Sequence, residues 1–381
     1  MKILAIESSC DETAAAVVED GVRVLSNVVV SQVDVFAEYG GVIPEVAARS
    51  HLEVILPVVK KAMSEAGLTK DGIDCIAVTY APGLLGSLLI GTLTARMLAI
   101  LWQKPLYAVH HLKSHIYANW LSEEAERPEF PLIALVVSGG HTQIIYMSVH
   151  NRFEIVGMTR DDAVGECFDK VAKVLGLPYP GGPSISKIAL SSRAIASNSR
   201  ISSLSSAAAP SQVSLVDSAV SFASLGKNYI LPHPNVEGLD FSFSGLKTAV
   251  LRAVQAELGV PISTPSFELA GKLSEQQKAD FAAAFQETAC EILVEKLKMA
   301  VEQYPEVKSV VVAGGVSANE VLRRKVTRLG EKLGIRVFFP ELRFAGDNAA
   351  MVGAAAYYEV MTGVEPTDPY KLNIAPRTPI G

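Results

Sequence analysis

Residues 3–18 read ILAIESSCDETAAAVV, and residues 132–147 read LIALVVSGGHTQIIYM. Each is an apolar strand, a turn of small residues ending in Asp-Glu-Thr or His-Thr, and a second apolar strand. One strand–turn–strand unit is therefore written twice. A third element, VKSVVVAGGVSANEVLRRKV at 307–326, runs a strand through Gly314-Gly315 into a helix. Between these lie amphipathic patterns that predict helices over 44–66, 84–103, 161–175, 276–303 and 318–333. Strands alternating with helices give an α/β class. Two small-residue turns facing one cleft, with a later Gly-Gly loop before a helix, suit a phosphate chain held by backbone N–H groups. A plain tight turn accounts for any one of these loops; three in this order favour the nucleotide reading.

The chain has 381 residues, enough for two domains. Apolar residues make up 49% and charged residues 19%, so a large core forms and wholesale disorder is excluded. Lys plus Arg is 34 against 40 Asp plus Glu, a formal charge of −6. That argues against a nucleic-acid binder coated in basic residues, but leaves room for a local patch. Cys10, Cys75, Cys167 and Cys290 are scattered without a C-x-x-C, which fits a reducing cytoplasm better than a disulfide framework or zinc knuckle. The opening MKILAIESSC ends its apolar run at Glu7, too early for a secretory signal. Residues 75–95 carry no charge, but Pro82-Gly83 splits them, so a buried strand–helix unit is expected there rather than a membrane span. Fifteen of the 41 residues in 184–224 are Ser, the composition of a surface insertion.

Three histidines stand in AVHHLKSHIYANW: His110, His111 and His115. The i, i+4 pair faces one side of a helix, close enough to share a metal ion. No Glu lies between them, so this is not the metallopeptidase box. Asp347, in RFAGDNAAMVG, is the candidate third ligand, placed as the N-cap of a small-residue helix. Two imidazoles and a carboxylate suit iron or zinc. An H-x-x-x-H alone fits satisfied surface histidines better than a metal site. Glu7, Asp11 and Glu12 are assigned to the first hairpin turn. Asp162, Glu166 and Asp169 are expected on one helical face. An Asp in this cluster could bind ribose hydroxyls, whereas Asp161 and Glu166 suit a solvated face paired with Lys170 and Lys173. Gly181-Gly182 between prolines predicts a rigid turn. Arg323, Arg324, Lys325 and Arg328 form the densest basic run, either an exposed helix face or a polyanion contact.

These residues closely resemble one family, the TsaD-type tRNA N6-adenosine threonylcarbamoyltransferases, once described as glycoproteases. The motifs are IESSCDETA (6–14), GGVIPEVAAR (40–49), APGLLGSLLIG (81–91), HHLKSHIYA (110–118), VSGGHTQ (137–143), GECFDKVAKVLGLPYPGGP (165–183), FSFSGLKT (241–248), AGGVSAN (313–319) and DNAAMVG (347–353). They span nearly the whole chain in the family's order. Ala81 and Gly346 depart from the residues expected there, and the Ser-rich stretch has no counterpart.

The resemblance implies the two-lobed actin/hexokinase-like fold, a duplicated ribonuclease-H-like α/β unit, with a metal and a nucleotide in the interlobe cleft. The lobes would be 1–130, with 335–381 packing back onto it, and 131–334, carrying the Ser-rich insertion at about 184–235. The implied reaction moves a threonylcarbamoyl group from threonylcarbamoyl-adenylate to N6 of the adenosine beside the anticodon, in tRNAs reading codons that begin with A. The implied metal ligands are His111, His115 and Asp347, for one divalent ion, iron before zinc. The implied donor site is Val136, Val137, Ser138, Gly139, Gly140, Asp169, Gly182 and Asn319. Asp11 and Glu12 are candidates to orient the amine or take its proton. Implied partners are tRNA, a smaller TsaB-like paralogue and a TsaE-like ATPase, in the cytoplasm and away from membranes. The rival readings are a small-molecule kinase of the same fold, a metallopeptidase, and a non-catalytic scaffold subunit.

Overall fold

The computed structural model describes residues 1–122, 126–191, 229–234 and 236–380. Two five-stranded sheets frame it. The first has the order β3-β2-β1-β4-β5, from Lys2–Glu7 (β1), Glu12–Glu19 (β2), Arg23–Ser31 (β3), Cys75–Ala81 (β4) and Leu106–His110 (β5). The second has the order β10-β9-β6-β7-β8, from Leu132–Val137 (β6), Thr142–Met147 (β7), Phe153–Met158 (β8), Ser309–Ala313 (β9) and Arg336–Phe338 (β10). In each sheet an antiparallel three-strand meander is extended by two parallel strands. The repeat read from the two quoted stretches is therefore a repeat of whole sheets.

Alternation along the central strands divides the core. Ile3 and Ala5 on β1, with Leu132 and Ala134 on β6, enter one cluster lying between the sheets. Ala349–Met361 (α11) and His111–Tyr117 (α4) supply that cluster's helical residues. Leu4 and Ile6 face the other way, against Pro44–Glu65 (α2) and Leu85–Trp102 (α3). Ile133, Leu135 and Val137 face Val164–Leu175 (α5), Ser244–Glu257 (α7), Glu275–Gln303 (α8) and Glu320–Leu333 (α9). Strands covered on both faces need apolar residues at every position, which is why β1 and β6 read as unbroken apolar runs.

Several sequence expectations are corrected. The helix expected over 161–175 begins at Val164, so Asp162 lies outside it and shares no helical face with Glu166 and Asp169. Lys170 instead gathers both acids, 2.6 Å from Asp162 and 2.9 Å from Glu166. Gly181-Gly182 is not an isolated turn but the start of a helix over 181–191 (α6). That helix absorbs the first part of the expected insertion, with Ile185 and Ala189 buried; residues 192–228 lie outside the described residues. Glu7 ends β1, fully buried, rather than standing in the turn. The β4–α3 unit forms as expected but is buried on one side only. Leu85, Leu89, Leu93 and Met97 are 42–63% exposed along a single stripe. Among the described residues, α3 is the one helix long and apolar enough to cross a membrane.

The basic run on α9 is partly spent internally. Arg323 donates to the Ser317 and Pro340 carbonyls and stacks on Phe339, and Lys325 pairs with Glu287 and Glu291. It is thus a fold-holding element more than an open polyanion surface.

Asp161 has a structural task. The N-cap of α7, Phe243, offers no side-chain cap, and Asp161 supplies one from a distant loop. It accepts from the Phe243 and Ser244 amides and from the Ser242 and Ser244 hydroxyls, at 2.5–3.3 Å. Burial alone would raise its pKa, but these donors outweigh it and hold the carboxyl below its ordinary value. A carboxyl depressed in the fold contributes stability above its unfolded pKa and loses it as pH falls through the folded value. Asp161→Ala is therefore expected to cost about 1 kcal/mol in urea unfolding at pH 7, the scale of a lost cap at an exposed position. The gap between variant and parent should close in acid. An equal gap at pH 7 and pH 3 would contradict the assignment.

Candidate metal centre and nucleotide cleft

The α4 helix starts directly after β5 and presents its histidines to the space between the sheets. His110 is the N-cap: its Nδ1 accepts from the Leu112 amide, and its Nε2 donates to the Thr378 carbonyl. Both nitrogens are spent, so His110 is no metal ligand. His111 and His115, one turn apart, have ring centroids separated by 4.6 Å. Asp347 arrives from the loop before α11. Its Oδ1 lies 3.6 Å from His111 Nε2 and 3.1 Å from His115 Nε2.

The expected N-cap role of Asp347 is corrected. Asn348 caps α11, accepting from the Met351 amide. That shift of one residue leaves the Asp347 carboxylate free of the helix. One ligand atom from each of His111, His115 and Asp347 lies within 4.8 Å of the others.

These residues fit a divalent cation. His115 is fully buried; its Nδ1 has no hydrogen-bond partner, and its Nε2 faces only the Asp347 carboxylate. A buried polar atom without a partner is costly unless something binds it. His111 is poised by a second carboxylate, Glu7, whose Oε2 lies 3.2 Å from Nδ1. A carboxylate only accepts, so Nδ1 carries the proton and Nε2 faces the shared point. Glu7 is itself held by the Thr79 hydroxyl at 2.6 Å and the Ser9 amide at 2.5 Å. Desolvation would lower the His111 pKa, but Asp347 and Glu7 together raise it to about 9. Desolvation would raise that of Asp347, yet His111 and then His115 hold it well below the carboxylate range. In the ion's absence a proton on His111 neutralises the cluster, and a cation must displace it.

The same Asp347 borders a cavity of about 550 Å³ between the sheets. Three loops build its floor. The Ser138 amide donates to the His141 carbonyl at 2.8 Å, closing a turn with Gly139 and Gly140 at its tip. The start of α5 docks on that turn, where Gly165 donates to the Ser138 carbonyl. A Cβ on Gly165 would stand 2.5 Å from that oxygen, so only glycine permits the approach. The loop after β9 passes Gly314 across the Val137 carbonyl at φ +89°.

Of the sequence-derived donor-site residues, Ser138, Gly139, Asp169, Gly182 and Asn319 line this cavity. Val136 and Val137 do not; they are fully buried in β6, in the sheet behind the loop. Gly140, His111 and His115 are also outside the lining. Asp169 accepts from the Gly181 amide at 2.7 Å, which docks α6 onto α5. Asp11 and Glu12 line the cavity beside Asp347. Burial, then the Asp347 and Asp11 carboxylates, pushes Glu12 up to about 10.

The family described as TsaD, tRNA N6-adenosine threonylcarbamoyltransferase, matches residues 23–354. The chain belongs to this family. It is 48% identical to the tRNA N6-adenosine threonylcarbamoyltransferase of Symbiobacterium thermophilum over 363 residues, covering 95% of this chain and 92% of that one. The protein of the same name from Moorella thermoacetica is 44% identical over 384 residues, covering 99% and 97%. HypF from T. kodakarensis, at 15% identity, superposes with a TM-score of 0.51 over 95% of this chain and 48% of that one. The fold is the two-lobed actin/hexokinase-like α/β fold, and the family is one of metal-dependent transferases.

Two residues of the cleft escaped sequence reasoning. Glu7 looks like a turn acid in the sequence, although a Glu closing an unbroken apolar strand is a signal that its carboxylate has a buried partner. Gln286, in AAAFQETAC on α8, lines the cavity while buried. Its only sequence signal is a polar residue within a wide apolar stripe.

Proposed function

We propose that this chain transfers a threonylcarbamoyl group from threonylcarbamoyl-adenylate to N6 of adenosine 37, beside the anticodon, in tRNAs reading codons that begin with A. One observation carries the reading. The His–His–Asp cluster and the cavity floored by three small-residue loops share a residue, Asp347. A nucleotide in the cradle therefore has its reactive end beside the cluster.

The donor is a mixed anhydride and needs no further activation. N6 attacks the carbamoyl carbon, the bond from that carbon to the phosphate oxygen breaks, and adenylate leaves with the electron pair while N6 gives up a proton. Asp11 is positioned to take it. Glu12, holding its own proton to about pH 10, acts as a hydrogen-bond donor in the same wall. The Gly139 backbone N–H, at the tip of the turn on the cavity wall, is the donor for the phosphate, and Asp169, Gly182 and Asn319 line the nucleoside. His111, His115 and Asp347 would hold one divalent ion, iron before zinc, and when bound it supplies Lewis acidity and a template for substrate oxygens.

The lobes in this reading are 1–130, joined by the chain's end, and 131–334, with β10 extending the second sheet to Phe338. The smaller TsaB-like paralogue finds its site on α2 and α3. There Leu52, Leu56, Leu89 and Leu101 stand exposed with the stripe described above, the kind of apolar patch that marks a protein interface. A TsaE-like ATPase and the cytoplasmic location complete the reading.

The test is reconstitution with threonylcarbamoyl-adenylate and unmodified tRNA, with and without the two partners, measuring modified adenosine by mass spectrometry. Modified nucleoside is the expected product. Its absence with every partner present, or phosphoryl transfer from ATP to a small substrate instead, would overturn the reading.

A further inference from the structure

The amide of Gln286 has one possible orientation, and hydrogen-bond logic alone decides it. Asn319 caps α9, its Oδ1 accepting from the Val321 and Leu322 amides at 3.0 Å each. Backbone N–H groups only donate, so that atom is the carbonyl oxygen and the other is the nitrogen. Asn319 Nδ2 donates to Gln286 at 2.8 Å and to Ser186 at 3.2 Å. The Gln286 atom it meets must accept, so it is Oε1. The Ser186 hydroxyl donates to the same oxygen at 2.7 Å. Gln286 Nε2 therefore points away from this network. It has no partner among the described residues, and it is not one of the sealed-in polar atoms of the core. The residue is 5% exposed, and what it borders is the cavity.

We propose that Gln286 is a specificity-determining residue for the donor: its Nε2 donates to a ring nitrogen of the adenine. This rests on the adenylate reading above. The surrounding wall supports it, since Phe168, Leu190, Val316 and Val321 present apolar surface suited to a flat base. A purine base in such a slot turns its ring nitrogens towards whatever donors the wall holds. A carboxylate or hydroxyl could meet either a donor or an acceptor by shifting a proton. An amide locked by two donors on its oxygen cannot, so its Nε2 donates only to a ligand atom with a free lone pair. Gln286 Oε1 also accepts from the Asn319 amide, which fixes that side chain in the cavity wall.

The experiment titrates the full-length chain with AMP and with its 1-deaza, 3-deaza and 7-deaza analogues by calorimetry. Gln286→Glu and Gln286→Ala are measured beside the parent, with thermal unfolding to confirm the fold. One deaza analogue should bind the parent about tenfold more weakly than AMP, the scale of one lost hydrogen bond. That analogue should lose nothing further in Gln286→Ala, while AMP falls about tenfold to meet it. Gln286→Glu retains an acceptor for Ser186 and Asn319 but drops the donor, and should weaken AMP as much as Gln286→Ala does. If no deaza analogue is weakened, or the losses from analogue and variant add, Gln286 does not contact a ring nitrogen and the proposal falls. Failure of the parent to bind AMP at all overturns the adenylate reading and this one with it.

Discussion

Asp347→Asn is expected to leave a folded chain that binds its divalent ion more than about 100-fold more weakly and transfers no measurable threonylcarbamoyl group. Asn keeps the shape of the side chain, so no cavity opens beside α11. What is lost is the one anionic ligand among the three that converge within 4.8 Å. An amide oxygen is a far weaker partner for a divalent ion, and the two imidazoles that remain are neutral ligands. Glu7→Gln is the graded comparison. It removes the acceptor that fixes the His111 ring rather than a ligand, and losing such a supporting group costs about 10–100-fold in affinity. The order should therefore be parent, Glu7→Gln, Asp347→Asn, read by metal content after dialysis against a chelator and by modified adenosine in the transfer assay. Undiminished metal and rate in Asp347→Asn would place the ion elsewhere.

The second large effect concerns backbone packing. Gly314→Ala is expected to destabilise the chain by about 2–4 kcal/mol and to abolish nucleotide binding. Its φ of +89° lies where a side chain is strained, and a Cβ there would overlap the Val137 carbonyl oxygen and stand 2.8 Å from its carbon. These atoms belong to β6, so neither side can yield without parting the loop after β9 from the turn at Ser138. The neighbouring glycines give the control. Gly315 and Gly139 have open space where a Cβ would stand, and Ala at either should change stability by less than about 0.5 kcal/mol. Urea unfolding of the three variants, with AMP titration, separates them. If Gly314→Ala matched Gly315→Ala, the contact between the two loops would not be what holds the cleft.

The same comparison shows how far the sequence can be read. AGG at 313–315 announces a tight loop, but nothing local says that Gly314 is indispensable and Gly315 replaceable. The helices over 44–66, 84–103, 276–303 and 318–333 were legible to within a residue or two, because amphipathic period and caps are local signals. The sequence places the start of α5 too early because Asp161 and Asp162 look like helix-starting acids, whereas their partners, Ser242, Ser244 and Lys170, include residues some eighty positions away. Basic residues on α9 read as a surface, and only the fold revealed that Arg323 and Lys325 are occupied by Pro340, Phe339, Glu287 and Glu291.

By itself, the amino-acid sequence determined the α/β class, the duplicated strand–turn–strand unit, the three small-residue loops, the pairing of His111 with His115 one turn apart, and a family resemblance spanning the chain. Each depends on spacing along a few consecutive residues, where geometry is dictated by the helix or strand period. Tertiary structure alone decided the rest: that Asn348 and not Asp347 caps α11, that the freed carboxylate reaches the histidines, that Glu7 orients one of them, and that Gln286 turns a bare donor into the cavity. Those outcomes depend on which distant polar group each buried one finds when the two sheets pack. A buried donor or acceptor must be satisfied, but its own neighbours in the chain do not say by whom.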